Sequence, residues 1–183
     1  MGLFKETFLR QSKNLELNIY SAQKIFYLIG PQGTFSYPLH TELTYSKANR
    51  KLWLKTVGKK TQERSFLKMY QILFTQAALG VLLGYRKQLN IVGIGYQVMI
   101  EKKGLNSFMV FKLGYSHQLY IKIPKYAHVT CPKPRILLLK GINFQKINNL
   151  AATIRRLKLP SAYKEKGIYY KGAIVSLKQG KKT

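Results

Sequence analysis

The chain has 183 residues, 46% of them apolar, with 32 Lys and Arg against 6 acids and a net charge of +26. The length suits one large domain or two small ones, and the apolar share supports a packed core rather than wholesale disorder. All six acids are Glu, which leaves little for carboxylate-pair catalysis, and a charge this one-sided calls for a polyanion, nucleic acid ahead of an acidic membrane surface.

Residues 1–14 read as a short helix or tail, basic and mildly amphipathic, without the apolar run and cleavage site of a signal peptide. Ile25 to Ile29 is an aromatic and β-branched strand, followed by a tight turn at Pro31-Gln32-Gly33. Leu43 to Tyr45 and Leu52 to Thr56 are further short strands. From Gln62 to about Leu83, Phe66, Tyr70, Leu73, Ala77 and Gly80 recur at helical spacing, and Gly84 marks the end. The apolar window Met69 to Tyr85 is interrupted by Gln71, Thr75 and Gln76 and is short for a membrane span, so it reads as a buried helix.

A second block opens at Leu89. "LNIVGIGYQVMIE" reads as one long strand with Gly93 and Gly95 inside it, marking a bulge or a close backbone approach. Phe108 to His117, Leu119 to Ile123 and Arg135 to Lys140 follow as strands. Cys131, the only cysteine, excludes an intrachain disulfide and reads as a small hydrophobe near a strand end. After Gly141 a helix starts. Asn143 is its cap, Ile147, Leu150, Ala151, Ile154 and Leu157 form one apolar stripe, and Pro160 stops it. Both halves carry an apolar strand closed by Gly, "FYLIG" and "LLLKG". The reading is an α+β chain of two similar modules, each a mainly antiparallel sheet with a packed helix. Residues 1–14 form a tail, 15–84 the first module, 85–160 the second, and 161–183 a basic extension.

Charge is uneven between the halves: 12 basic and 4 acidic residues to Gly84, 20 and 2 from Tyr85. Arg155, Arg156 and Lys158 suit the negative end of a helix, and the same surface runs on into "YKEKGIYYKG". There Lys164, Lys166 and Lys171 offer phosphate contacts, and Lys178, Lys181 and Lys182 continue them. Lys140 adds another. Tyr163 and Tyr170 suit stacking on bases or ribose, Tyr169 equally suits strand packing, and Gly167 and Gly172 would let backbone approach RNA. His40, His117 and His128 have no ligand-spaced neighbours, and no glycine-rich phosphate loop is present. Ser116 and His117 suit a phosphate contact. No catalytic residue, metal site or cofactor is expected.

Several ordered motifs resemble the universal large-subunit ribosomal protein family numbered six. The family's Leu-x-Leu-Val-Gly-Val-Gly-Tyr is similar to "LNIVGIGY", Leu89 to Tyr96, and its Leu-Gly-Tyr-Ser-His is intact at Leu113 to His117. "GINFQKINNLAATIR", Gly141 to Arg155, resembles Gly-x-Asp-Lys-Gln-x-Val-Gly-Gln-x-Ala-Ala-x-Ile-Arg. "PSAYKEKGIYY", Pro160 to Tyr170, resembles Pro-Glu-Pro-Tyr-Lys-Gly-Lys-Gly-Ile-Arg-Tyr. The chain departs from the pattern at Asn143, Phe144, Asn148, Asn149, Ser161 and Ala162. It also places Glu165 at a family glycine and Tyr169 at a family arginine.

The resemblance implies a non-catalytic structural protein of the large subunit. Its second module and tail would bind large-subunit rRNA near the sarcin–ricin loop, beside the stalk base and its neighbouring ribosomal proteins. Translational GTPases would work nearby, and no membrane partner is implied. Tyr96 and Tyr115 would line or buttress the rRNA surface with Tyr163 and Tyr170. Lys exceeds Arg 25 to 7. That bias, with no presequence visible, is read as an organelle-encoded protein of the mitochondrial matrix, the alternatives being a plastid or a bacterial cytoplasm.

Overall fold

The computed structural model describes residues 16–20, 25–38, 43–46, 53–56 and 60–178. The readings of a tail over 1–14 and of Lys181 and Lys182 as contacts fall outside these residues. The chain divides into two compact units, Met1–Gly84 and Tyr85–Thr183.

In the first unit, β1 (Glu16–Tyr20), β2 (Ile25–Gly30) and β3 (Gly33–Pro38) form an antiparallel sheet in that order. A hairpin joins β4 (Leu43–Ser46) to β5 (Trp53–Thr56), and α1 spans Lys60–Leu82. Along α1, Tyr70, Leu73, Phe74, Ala77, Ala78 and Val81 are buried, the three- and four-residue spacing that makes one apolar face. That face meets β2 at Phe26, whose ring stacks on Phe74 at 4.2 Å and tilts against Phe35 at 6.0 Å and Tyr37 at 5.9 Å. Burying one such ring is worth about 1.5–3 kcal/mol. The β2–β3 turn serves the helix too: the Gln32 N–H donates to the Val81 carbonyl at 3.0 Å, one of the acceptors a helix end leaves open.

The second unit has two antiparallel sheets. One runs β10 (His128–Lys133), β11 (Ile136–Gly141), β6 (Tyr85–Val92), β12 (Gly167–Tyr170). The other runs β7 (Gln97–Lys103), β8 (Asn106–Lys112), β9 (Leu119–Lys122). Helix α2 (Phe144–Arg156) packs on β6, β11 and β12. Its buried Ile147, Leu150, Ala151 and Ile154 join Leu89, Ile91, Leu137, Leu139, Met109, Phe111 and Ile168 in one core. Asn143 caps the helix as expected, its Oδ1 accepting from the Lys146 N–H at 3.1 Å. The glycine-closed strands are handled differently in the two units. β2 turns straight back as a hairpin, whereas β11 feeds α2 through Gly141.

Three sequence expectations are corrected. Leu89 to Glu101 is two strands in different sheets, not one, because Gly93 (φ +151°) and Gly95 (φ +75°) turn the chain between them. The strand expected over Phe108 to His117 stops at Lys112, and Gly114 (φ +73°) opens a bend. A further strand, β10, carries Cys131. It escaped notice because Pro132 lies inside it, at a shift of register between Thr130 and Lys133. The Cys131 thiol donates to the Val98 and Lys133 carbonyls at 3.3 and 3.2 Å, and burial pushes its pKa up, so it stays protonated.

Tyr96 sits under the glycine turn. A side chain on Gly93 would come within 2.5 Å of its ring, whereas one on Gly95 would meet nothing within 4 Å. Gly95→Ala should therefore cost only the left-handed backbone penalty, about 1–2 kcal/mol. Gly93→Ala should add overpacking of about 1–3 kcal/mol. Urea melts of the two variants check this; equal midpoints would show that the Tyr96 ring moves aside freely.

Candidate nucleic-acid interface

The end of α2 is built by three chain segments. Arg155 and Arg156 occupy its last turn, and Lys158 lies just beyond. The bend after β8 reaches this end: the Tyr115 hydroxyl donates to the Leu157 carbonyl at 3.1 Å. The same ring lies under Lys158, whose Nζ is 4.2 Å from its centroid, and stacks on His117 at 6.1 Å. Tyr115, Ser116 and His117 are thus brought to Lys158, all four at the surface or half-buried.

Beyond Pro160 the chain makes a closed loop. The Ile168 N–H donates to the Lys158 carbonyl and the Ser161 N–H to the Lys166 carbonyl, both at 3.0 Å. At the stem Gly167 is buried with φ +150°, and a side chain there would come within 2.6 Å of Pro160 Cα. This corrects its reading as an opening for RNA, because its missing side chain makes room for the chain's own backbone. Gly172, with φ +79°, has open space around it. At the tip Tyr163, Lys164, Glu165 and Lys166 are exposed. Glu165 has φ +53°, and its carbonyl accepts from the Tyr169 hydroxyl at 2.8 Å. Burial, with Glu165 beside it, holds the Tyr169 pKa above its usual value, so the donor proton is retained at neutral pH. The Lys178 N–H returns to the Ala162 carbonyl at 3.0 Å.

Tyr170 anchors a second cluster. Lys87 Nζ lies 5.3 Å and Arg155 Cζ 5.2 Å from its ring centroid. Lys87, Lys140 and Lys171 also line a recess of about 550 Å³ beside that ring, together with Arg86, Gln88 and Leu138. Arg86 and Lys87 were not singled out in the sequence; β-sheet register, not local sequence, brings them here. Tyr96, 8% exposed, belongs to the core, so its part is to buttress the glycine turns rather than to offer a face.

Electrostatics sets this surface apart. Among the described residues one ion pair forms, Lys103 with Glu101 at 3.8 Å, against five cations placed over tyrosine rings. A ring orients a cation without cancelling its charge. Tyr115 and Tyr170 are therefore cation holders, which replaces their reading as free stacking platforms. Among the described residues no group of three or more His, Cys, Asp or Glu could hold a metal ion, and no helix is long and apolar enough to cross a membrane.

Residues 92–171 match the family model of ribosomal protein L6. The large ribosomal subunit protein uL6 of Zymomonas mobilis is 39% identical over 84% of both chains. That of Thermosipho melanesiensis is 34% identical over 87% of this chain and 88% of its own. That of Fervidobacterium nodosum is 31% identical over 93% of both. The chain belongs to the ribosomal protein L6 family. L6 is a structural family, not an enzymatic one. Where the L6 motif has glycine, Glu165 keeps the left-handed backbone that glycine adopts readily, so the loop path survives the substitution at a cost in strain. Where the motif has a further arginine, Tyr169 supplies the hydroxyl that ties that strained residue down.

Glu165→Gly should relieve this strain and stabilise the second unit by about 1 kcal/mol. Thermal melts of the full chain, read alongside Tyr169→Phe, check it. A fall in melting temperature for Glu165→Gly would refute the strain.

Proposed function

We propose that this chain is a structural component of a bacterial-type large ribosomal subunit, held by large-subunit rRNA near the sarcin–ricin loop and the stalk base. One observation carries the reading. The end of α2, the loop 158–168 and β12 are tied into one surface whose described cations lack carboxylate partners. Phosphates of folded RNA are the counter-charge it fits. The relatives above are named as large ribosomal subunit proteins, which agrees with that partner. Neighbouring ribosomal proteins at the stalk base, with translational GTPases close by, complete the surroundings. Mitochondrial encoding is part of the proposal, supported by the 25 Lys against 7 Arg; a plastid or bacterial cytoplasm is the alternative.

The experiment is sedimentation of tagged full-length chain. It should co-migrate with mature large subunits and survive a moderate-salt wash. Replacing Arg155, Arg156 and Lys158 together by Gln should reduce incorporation at least about tenfold, more than the same change at Lys47, Arg50 and Lys51. Equal incorporation of the two variants would refute the assignment to the second unit. Presence on immature particles alone would identify a maturation factor instead.

A further inference from the structure

The recess beside Tyr170 carries more positive charge than its fold requires. Arg86 and Lys140 are direct cross-strand partners in the β6–β11 register, so they project from the same face of the sheet. Like charges at such a position destabilise a sheet. A second like-charged pair, Lys87 and Arg155, converges on the Tyr170 ring, each within 5.3 Å of its centroid. Lys171 closes the rim, and its backbone N–H extends the ladder to the Gln88 carbonyl at 3.0 Å. No Glu lines the recess. The unit's two acids lie elsewhere, Glu101 paired with Lys103 and Glu165 at the loop tip. The Arg155 Nε is buried and has no hydrogen-bond partner. The recess, about 550 Å³, falls within the size range of small-ligand sites, roughly 300–1,000 Å³.

The geometry points to a discrete phosphate site in this recess, one that takes consecutive phosphates of an RNA strand. Arg86 and Lys87 are essential members of it, alongside Lys140 and Lys171. Tyr170 is a positioning residue, the ring against which Lys87 and Arg155 are set. The chemistry needed is a compact, multiply charged oxyanion. Its oxygens accept from several cations at once, and it relieves both repulsive pairs in a single binding event. The inference deepens the rRNA reading and rests on it: it distinguishes a preformed clamp on the sheet from the diffuse attraction of a basic surface. The loop tip, with Tyr163, Lys164 and Lys166 exposed, would then be a separate contact.

The test uses the full chain and a transcript of the last domain of large-subunit rRNA, titrated at several salt concentrations. Arg86→Gln with Lys87→Gln should weaken binding at least about tenfold and flatten the salt dependence by about 1.5 in log–log slope, as for two lost phosphate contacts. Lys112→Gln with Lys122→Gln removes equal charge from the other sheet and should do less. Inorganic pyrophosphate supplies a second readout that needs no RNA. It should raise the melting temperature of the native chain more than that of the Arg86/Lys87 variant, and it should shift the Nε–H resonance of Arg155 in the native protein. In phosphate-free, low-salt buffer the variant should melt no lower than the native chain, since it loses repulsion. If the native chain binds the transcript and the Arg86/Lys87 variant binds it with the same affinity and slope, the clamp is wrong and the rRNA reading stands. If the native chain does not bind the transcript, the rRNA reading falls and takes the clamp with it. An unmoved Arg155 signal at saturating pyrophosphate would also overturn the clamp.

Discussion

The structure of the second unit turns on the contact between a cation and a tyrosine ring. With 20 basic and 2 acidic residues from Tyr85 onward, carboxylates cannot place the side chains. Tyrosines do it instead. Tyr115 holds Lys158, Tyr170 gathers Lys87 and Arg155, Tyr126 lies under Lys146, and Tyr120 under Lys103. A salt bridge would fix these side chains and neutralise them together. A ring contributes roughly 0.5–1 kcal/mol at an exposed site while leaving the full charge available. Order and unsatisfied charge then coexist, as a surface built for phosphate requires.

The same economy appears in the backbone. Tyr115 supports Lys158 with its ring and completes the end of α2 with its hydroxyl. Tyr169 leaves the strand at its hydroxyl end to hold Glu165. Tyr96, by contrast, is spent inside the core, filling the space over Gly93 and Gly114. Three tyrosines from similar sequence surroundings thus have three mechanical duties, decided by which face of a strand or bend each occupies.

That division explains what the sequence made legible. Helix α2 was readable in full because its signals are local: Asn143 caps it, Ile147 to Ile154 stripe it, and Pro160 follows it. The basic character of 155–171 was equally plain. Long-range facts were hidden. Gly93 and Gly95 looked like a bulge within one strand, because a glycine pair does not say whether the chain will continue in the same sheet. Arg86 and Lys87 looked like ordinary strand-start cations. Only pairing with β11 sets Arg86 beside Lys140, and only the return of β12 brings Tyr170 up to Lys87. Gly167 was recognised as a close-approach site, but the partner was misjudged, since Leu159 and Pro160 arrive there only when the loop closes.

That closure has an architectural meaning of its own. Two backbone hydrogen bonds and the Gly167–Pro160 contact seal the neck of the loop independently of anything at its crown. The crown is thereby mechanically insulated from the sheet. Lineages could lengthen, shorten or recharge residues 162–165 to suit a changed RNA partner, and the strands beneath would register none of it.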